Sequence, residues 1–575
     1  MRSYRHAESI PANVMKEFEA YDSFTQQLLY TRGIESKDEA VTFLNPNYET
    51  GRHDPFLLPG MEQAIARILR AIAENEKIVI YSDYDCDGIP GAVVLHDFFY
   101  AIGFTNSEHY IPHRHYEGFG LSVYALEKIR ESKPDLLITI DCGTADVASV
   151  QFANENNIDV IVTDHHVPLS HISKETDEMI YDLPLAYAVV NPKIGNTYPF
   201  PDLCGAGVVF KLVEALIARG NFDLKPGWEK WWLDMVGIAT ISDMVPLTGE
   251  NRIFARFGLD VLRKSRRPGI QHLLRTTRTS QRHLTEDDIG FTIGPRINAA
   301  SRMDTPEDAF HMLAARDEGD AGARVAHLEK LNKERRGIVG SMTKELKRRI
   351  TDMIDLPEIL VLGNTEWRPS LVGLAANSLA ETYNRPAFIW GRDGNGIIKG
   401  SCRSDGVTSV VTLMNSISDF FIEHGGHHMS GGFAVKDENI FSFPEKLNEA
   451  FRLLGAKRSV QEEVVIDATL TLDAINESLL RTLAVFAPFG IGNPKPLFEF
   501  KDVVPEQVIM FGKAKEHLKL IFNGRETREA LAFFAQPDSF RNSPVAGKTC
   551  TLLAHVEQSF FMGRMQTRLR IVDIL

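Results

Sequence analysis

Apolar and polar positions follow two periods along most of this chain. Between about residue 60 and residue 245, stretches with apolar residues every three or four positions give way to short β-branched runs. That alternation predicts a parallel α/β domain. Three runs are almost continuously apolar, Lys77–Tyr81, Leu136–Ile140 and Asp159–Thr163, as expected of strands covered on both faces. Residues 315–353 read as one long helix, because Val325, Leu328, Leu331, Ile338, Met342, Leu346 and Ile350 recur at helical spacing. A second α/β pattern follows from 358 to about 435, with a strand at Glu358–Gly363 and a hairpin turn at Asp393–Gly396. Beyond about 462, five strand patterns (Val464–Leu472, Leu518–Phe522, Glu529–Phe534, Thr549–Val556, Gln566–Ile574) predict a small all-β barrel. Residues 1–55 combine helical spacing with a Pro/Asn/Gly-rich stretch. The expected divisions are therefore 1–55, 56–250, 251–355, 356–458 and 459–575.

Composition narrows the picture. A chain of 575 residues is too long for a single core, and 44% hydrophobic with 24% charged residues is an ordinary globular balance. Apolar runs stop at five to seven residues, far short of the ~18 that a membrane helix needs. Met1–His6 lacks the apolar core of a secretory signal, and five cysteines without a C-x-x-C pair indicate neither a disulfide framework nor a zinc ribbon. A cytoplasmic protein with no membrane association is expected. The net charge of −14 argues against indiscriminate nucleic-acid coating. Yet Val261–Thr285 carries seven basic residues and no acid, which suits either a local anionic partner or a solvated helix face.

Candidate chemistry sits at the ends of the three apolar strands. The first runs into Asp83-Tyr84-Asp85-Cys86-Asp87-Gly88, the second into Asp141-Cys142-Gly143 and the third into Asp164-His165-His166. In an open parallel sheet these carboxyl ends share one ligand crevice. So many carboxylates would repel one another unless a cation compensated them, and a set of oxygen and nitrogen donors without thiolates suits Mg2+ or Mn2+. Asp243 lies within the apolar segment Gly237–Leu247, where an uncompensated carboxylate costs several kcal/mol.

D-Y-D-x-D-G, I-D-C-G, T-D-H-H and S-D-M-V-P-L, in that order, resemble the four motifs of the DHH phosphoesterase superfamily, and most closely its bacterial RecJ branch. Asn191-Pro192-Lys193, Cys204–Val208, Gly294–Arg302, Leu331–Arg336 and Ala487–Pro494 extend the resemblance, so that matches run from about 77 to 520. The resemblance implies a parallel-sheet DHH domain joined by the long helix to a smaller α/β DHH-associated domain, and then an OB-fold barrel. It implies a single-strand-specific 5′→3′ DNA exonuclease of repair and recombination that uses two Mn2+ or Mg2+ ions and releases nucleoside 5′-monophosphates.

By the same resemblance, Asp85, Asp87, Asp141, His165 and Asp243 would hold the metals, with Asp141 bridging. Asp83 and Asp164 would support them and His166 would face the substrate phosphate. Tyr81 stands where the family often has a histidine. Gly425, Gly426 and His427, in Gly425–Gly432, would approach phosphate, while Ser401, Arg403 and Arg114 would clamp a 5′-terminal phosphate. Arg296, Asn298 and Arg302 would bind substrate. Two segments depart from the family pattern, Trp367-Arg368-Pro369-Ser370 and Ala300-Ser301-Arg302. The barrel aromatics Phe489, Phe533, Phe534, Phe560 and Phe561 are candidates for base stacking or for core, beside Lys513, Lys515, Lys519 and Arg564. Single-stranded DNA, a single-strand-binding protein and a helicase are the expected partners of a monomer. Two alternatives remain open at this stage, a phosphoesterase for very short oligonucleotides or cyclic dinucleotides and a catalytically silent DNA-binding scaffold.

Overall fold

The computed structural model describes residues 3–172, 179–455, 463–561 and 563–575. The expected boundary at 458/459 lies outside the described residues, as does the side chain of Phe561.

Five parallel strands form the first sheet: β1 (Ile78–Ser82), β2 (Ser107–Tyr110), β3 (Leu136–Ile140), β4 (Asp159–Thr163) and β5 (Ala188–Val190). Their order is β2-β1-β3-β4-β5. After β1 the chain crosses to one side for β2 and returns to the other for β3, so a switch point opens between β1 and β3. Both of these strands are buried along their whole length, which accounts for their unbroken apolar runs. Helices α1 (Gly88–Ala101), α2 (Gly205–Arg219) and α3 (Leu233–Ser242) pack together behind the switch point.

Helix α4 (Gly294–Met303) leads to α5 (Glu318–Thr351), the long helix that the spacing predicts. Its 34 residues span about 51 Å. Asp317 caps it by accepting from the Asp320 amide, and Val325, Leu328, Leu331, Met342, Leu346 and Ile350 form its buried stripe. It packs on α4 and on α6 (Pro369–Tyr383), bridging the two α/β regions. The second sheet comprises β6 (Leu360–Gly363), β7 (Ala387–Arg392), β8 (Ile398–Arg403), β9 (Phe421–Gly426) and β10 (Ser430–Val435), ordered β9-β10-β8-β7-β6. The β7–β8 turn falls at Asp393–Ile397, where the Asp393 carboxylate accepts from the Asn395 and Ile397 amides.

The last region is a seven-stranded sheet rather than five strands: Phe498–Val503 and Gln507–Phe511 are added, and of the first predicted strand only Ala468–Thr469 joins it, Glu463–Ile466 lying outside. A helix at Glu477–Phe486 also interrupts the all-β pattern. The N-terminal segment does not stand apart from this region. Val14, Phe18, Leu28, Leu29 and Phe43 share one core with Phe486, Phe498 and Leu518, and Ser3–His6 pairs in parallel with Glu463–Ile466. Buried Arg252 donates to the carbonyls of Phe43 (2.7 Å) and Phe486 (3.1 Å), joining both segments to the helices of the first α/β region.

Within the basic strip, Arg267 is consumed by ion pairs to Asp97 (2.7 Å) and Asp234 (2.8 Å). Arg263 donates to the Leu284 carbonyl. Arg263, Arg278 and Arg282 line a cleft of about 560 Å³ that faces the barrel.

Candidate metal centre and phosphate clamp

Each sheet motif places its carboxylate one residue beyond its strand, and the backbone ladder continues to that residue. The amide of Asp83 donates to Ile140 (3.1 Å), that of Asp141 to Thr163 (2.9 Å) and that of Asp164 to Val190 (3.1 Å). Three acids are thereby held at one level above the sheet. Asp141 adopts φ +62°, a left-handed backbone that aspartate tolerates better than most residues. From the other side, Asp87 stands at the start of α1 and Asp243 at the end of α3.

Two donor groups meet around Asp141. Oxygens of Asp83, Asp85 and Asp141 lie within 4.8 Å of one another, as do donor atoms of Asp87, His165 and Asp243. His165 Nε2 connects the groups, 3.2 Å from Asp141 Oδ1 and 3.8 Å from Asp243 Oδ2. Burial, reinforced by the neighbouring carboxylates, pushes Asp83 and Asp141 well above the usual range, Asp87 to about 6 and Asp243 to about 9. One oxygen each of Asp83 and Asp141 is buried without a hydrogen-bond partner. Burial also lowers His165 to about 3, leaving the neutral imidazole that metals bind. Bare buried oxygens and a neutral imidazole fit hard divalent cations such as Mn2+ and Mg2+.

The acids differ in how committed they are. Asp87 accepts from the amides of Gly205 (2.6 Å) and Ala206 (2.8 Å), so its carboxylate anchors the first turn of α2. Asp85 accepts from the amides of Asp87 (2.8 Å) and Gly88 (3.2 Å) and keeps its other oxygen free of the loop. Gly205 itself sits against Asp141, and a Cβ there would fall 2.6 Å from Asp141 Cβ. Gly205→Ala is therefore expected to displace Asp141 and lower turnover roughly 100-fold. Single-turnover kinetics on a single strand, with circular dichroism to confirm the fold, would read this effect.

Asp164 accepts from the amides of Thr144 (3.0 Å), His165 (2.7 Å) and His166 (3.1 Å) and bonds His166 Nδ1 (2.8 Å). Burial opposes its charge, but the bond to His166 and the His166 charge hold it well below the usual range. Burial opposes the His166 charge as well, and Asp164 overcomes it, raising His166 to about 9. Half-exposed His166 is thus a fixed cationic donor at the rim of the crevice. Asn191, which was not assigned from sequence, bonds the His166 carbonyl (2.9 Å) and the Thr144 hydroxyl (3.0 Å). Lys193, also unassigned, contributes positive charge to His165, Asp243 and His427.

Arginines gather across the gap between the two α/β regions. Arg114 lies 4.7 Å over the Tyr84 ring. Arg302 donates to the Ser370 carbonyl (2.9 Å) and the Ser370 hydroxyl returns a bond to the Arg302 carbonyl (2.9 Å). The departure at Ser370 thus closes the junction between α4 and α6. Arg403 donates to the Ser401 hydroxyl and the Cys402 carbonyl, each at 2.8 Å. Burial, then the charges of Arg114, Arg335 and Arg403, lowers Arg302 to about 9. Among the described residues none of these four arginines forms an ion pair with a carboxylate, so the cluster is suited to an anion with oxygens for several forks.

Opposite the acids, Gly425 and Gly426 pair with Gly432 and Gly431 in the β9–β10 hairpin. Gly426, at φ +142°, leaves no room for a side chain, since its Cβ would lie 2.3 Å from the Ser430 carbonyl oxygen; Gly425 faces open space. Exposed His427 bonds the Ser430 hydroxyl (2.8 Å) and feels the charges of Arg403, His166 and Lys193. Two of the expected substrate groups also make bonds within the protein. Arg296 pairs with Glu329 (2.6 Å), and Asn298 accepts from the Cys86 amide (3.0 Å), steadying the acidic loop.

This constellation can bind two cations and hold a phosphate chain beside them. The DHH family N-terminal domain model matches residues 77–240, the DHHA1 domain model 357–456 and the RecJ OB domain model 466–573. The single-stranded-DNA-specific exonuclease RecJ of Bacillus subtilis is 32% identical over 552 residues, covering 95% of this chain and 67% of the relative. The Haemophilus influenzae protein of the same description is 30% identical over 513 residues, covering 86% and 85%. The chain belongs to the RecJ family. RecJ of Thermus thermophilus, crystallised with Mn2+, superposes with a TM-score of 0.81 at 26% identity, covering 100% of this chain and 80% of the other. A Mg2+ complex of the Thermus thermophilus RecJ matches with a TM-score of 0.74. The Mn2+ and Mg2+ of those RecJ structures are the ions that the donor set here fits.

Proposed function

We propose that this chain is a single-stranded-DNA-specific exonuclease that works 5′→3′ and releases nucleoside 5′-monophosphates in DNA repair and recombination. The observation that carries this reading is the pair of donor groups around Asp141 facing an unneutralised arginine cluster across one gap. One ion would be held by Asp83, Asp85 and Asp141 and the other by Asp87, His165 and Asp243, with Asp141 also beside His165 and Asp87 fixing α2 as well. Two such ions, when bound, activate a water and stabilise charge on the leaving oxygen.

The chain's own residues do the positioning. Arg114 and Arg403 hold the 5′-terminal phosphate with planar forks, and Ser401 orients Arg403. The first internal phosphodiester is thereby set beside Asp141. His166, kept cationic by Asp164, donates to a non-bridging oxygen of that phosphodiester. The glycine hairpin admits the sugar-phosphate backbone without a side chain in the way. A gap fed from one side selects a single strand by shape rather than by base identity.

On this reading duplex DNA must be opened and its strands kept apart by other proteins, a helicase and a single-strand-binding protein. One chain supplies every residue named, consistent with a monomer, and no helix among the described residues is long and apolar enough to cross a membrane. We place it in the cytoplasm.

Incubation with 5′- and 3′-labelled single strands and with duplex, with Mn2+ or with EDTA, tests the reading. Immediate release of the 5′ label as a mononucleotide, an intact duplex and silence in EDTA are expected. Early release of the 3′ label, or turnover of a dinucleotide equal to that of a 40-mer, would overturn it.

A further inference from the structure

The loop that carries Arg114 is tied down more firmly than a surface connection requires. Arg114 lies in the turn His113–Glu117, which follows β2. The His113 carbonyl accepts from the amides of Tyr116 (3.1 Å) and Glu117 (2.9 Å). The Glu117 carboxylate folds back and accepts from the His113 amide (3.1 Å). One residue, Glu117, therefore closes the turn with both its backbone and its side chain.

Glu117 is bonded from three sides. Besides the His113 amide, it accepts from the Tyr110 hydroxyl (3.0 Å) and from Lys128 in the helix Val123–Ile129. Its side chain is only 5% exposed, a burial that glutamate tolerates when it is fully paired. Tyr110 is aligned in turn by Tyr81, its register partner across β1 and β2, whose ring lies parallel to it at 5.8 Å. The Tyr81 hydroxyl donates to the Gly120 carbonyl (2.8 Å), and Asp146 accepts from the Leu121 amide (2.7 Å). Both ends of the loop are thus fixed to the body of the first α/β region.

The turn also touches the groups that it serves. His115 Nε2 lies 3.3 Å from the Arg302 carbonyl, and the Phe119 ring meets His166 edge-on at 5.5 Å. A carboxylate three residues from Arg114 could have neutralised it. Lys128 takes that carboxylate instead, and Arg114 stays unpaired over the Tyr84 ring. Arginine has many rotamers to lose when it grips a phosphate. A fixed backbone and an aromatic platform reduce that loss and aim the fork.

We propose that Glu117 is a positioning residue of the 5′-phosphate clamp: by closing the His113–Glu117 turn against Tyr110 and Lys128, it sets Arg114 for the terminal phosphate without touching substrate itself. The inference rests on the exonuclease reading and its clamp, and adds the residue through which the sheet aims one arm of that clamp.

The test compares kcat/KM for 5′-phosphorylated and 5′-hydroxyl strands with Mn2+ in wild type, Glu117→Ala, Glu117→Gln, Tyr110→Phe, Arg114→Ala and Glu117→Ala/Arg114→Ala. Glu117→Ala should lower the preference for phosphate roughly ten-fold, the scale of one charge-assisted bond, chiefly through KM for the phosphorylated strand. Cleavage of the 5′-hydroxyl strand should stay close to wild type. Glu117→Gln keeps an acceptor for the His113 amide and should recover most of the preference, a rescue that general loosening of the fold would not produce. In the Arg114→Ala background, Glu117→Ala should cost no further preference, because the two act as one unit. Tyr110→Phe removes one hydroxyl, keeps the ring stack and should give an intermediate loss; it decides the question if Glu117→Ala does not fold. Wild-type preference in the deciding variant, or an added loss in the double variant, would overturn the assignment of Glu117. Wild-type preference in Arg114→Ala would instead overturn the clamp, and wild type that releases no mononucleotide would overturn the exonuclease reading.

Discussion

Asp141→Asn is expected to cut strand hydrolysis roughly 10⁴-fold, the scale reached when one member of a catalytic unit is removed. Its carboxylate belongs to the Asp83–Asp85 group and touches His165 of the other, so neither ion would be held correctly without it. Binding of the strand in EDTA should persist, because the arginine cluster is untouched. The same variant should be more stable than wild type in EDTA at pH 8. Carboxyls whose folded-state pKa is raised bind protons more tightly in the folded chain, so stability falls as pH climbs from the ordinary carboxylate range through the raised values. Asp87, near 6, and Asp243, near 9, mark out that window. Removing one buried charge relieves the repulsion, and Mn2+ should reverse the ranking by stabilising wild type more. Thermal melts with and without Mn2+ read both effects; retained hydrolysis in Asp141→Asn would remove this residue from the mechanism.

Arg403→Ala is expected to erase the preference for a 5′-phosphorylated end, a loss of roughly 10- to 100-fold from one charge-assisted fork. The ratio of kcat/KM for 5′-phosphate and 5′-hydroxyl strands should approach one. Arg403→Lys should recover only part of it, because an ammonium keeps the charge but not the planar fork. Cleavage of a 5′-hydroxyl strand should change far less, since Arg403 belongs to none of the donor groups around Asp141. A ratio that stays at the wild-type value would contradict the clamp.

How much of this was legible in the sequence depends on the range of the interaction. The three acid-tipped strands could be read because continuous apolar runs require two-sided burial and because parallel sheets present their carboxyl ends together. The long helix followed from its stripe, and the β7–β8 turn from Asp393–Gly396. What could not be read is how neighbouring acids divide their work. The sequence pattern makes Asp87 a metal ligand and Asp83 a support, but it does not show that the amides of Gly205 and Ala206, some 118 residues further on, bond Asp87, or that one oxygen of Asp83 is buried without a partner. The bonds of Arg296 to Glu329 and of Asn298 to the Cys86 amide were hidden for the same reason, since these partners are local only in space. Arg267 belonged to a run of exposed-looking charge until Asp97 and Asp234 closed around it. The barrel's missing strands and helix share a core with the N-terminal segment, a contact across more than 400 residues that no local pattern reveals.

A second grouping, Asp304, Asp308 and His327, also brings three donor atoms together, but it is more exposed and Arg324 already bonds Asp308 (2.6 Å). That contrast makes one measurement decisive. A crystal soaked in Mn2+ and examined by anomalous scattering should show two peaks flanking Asp141, one touching Asp83 and Asp85 and the other His165 and Asp243. Empty density around Asp141, or manganese bound only at Asp304, Asp308 and His327, would contradict the proposed catalytic centre.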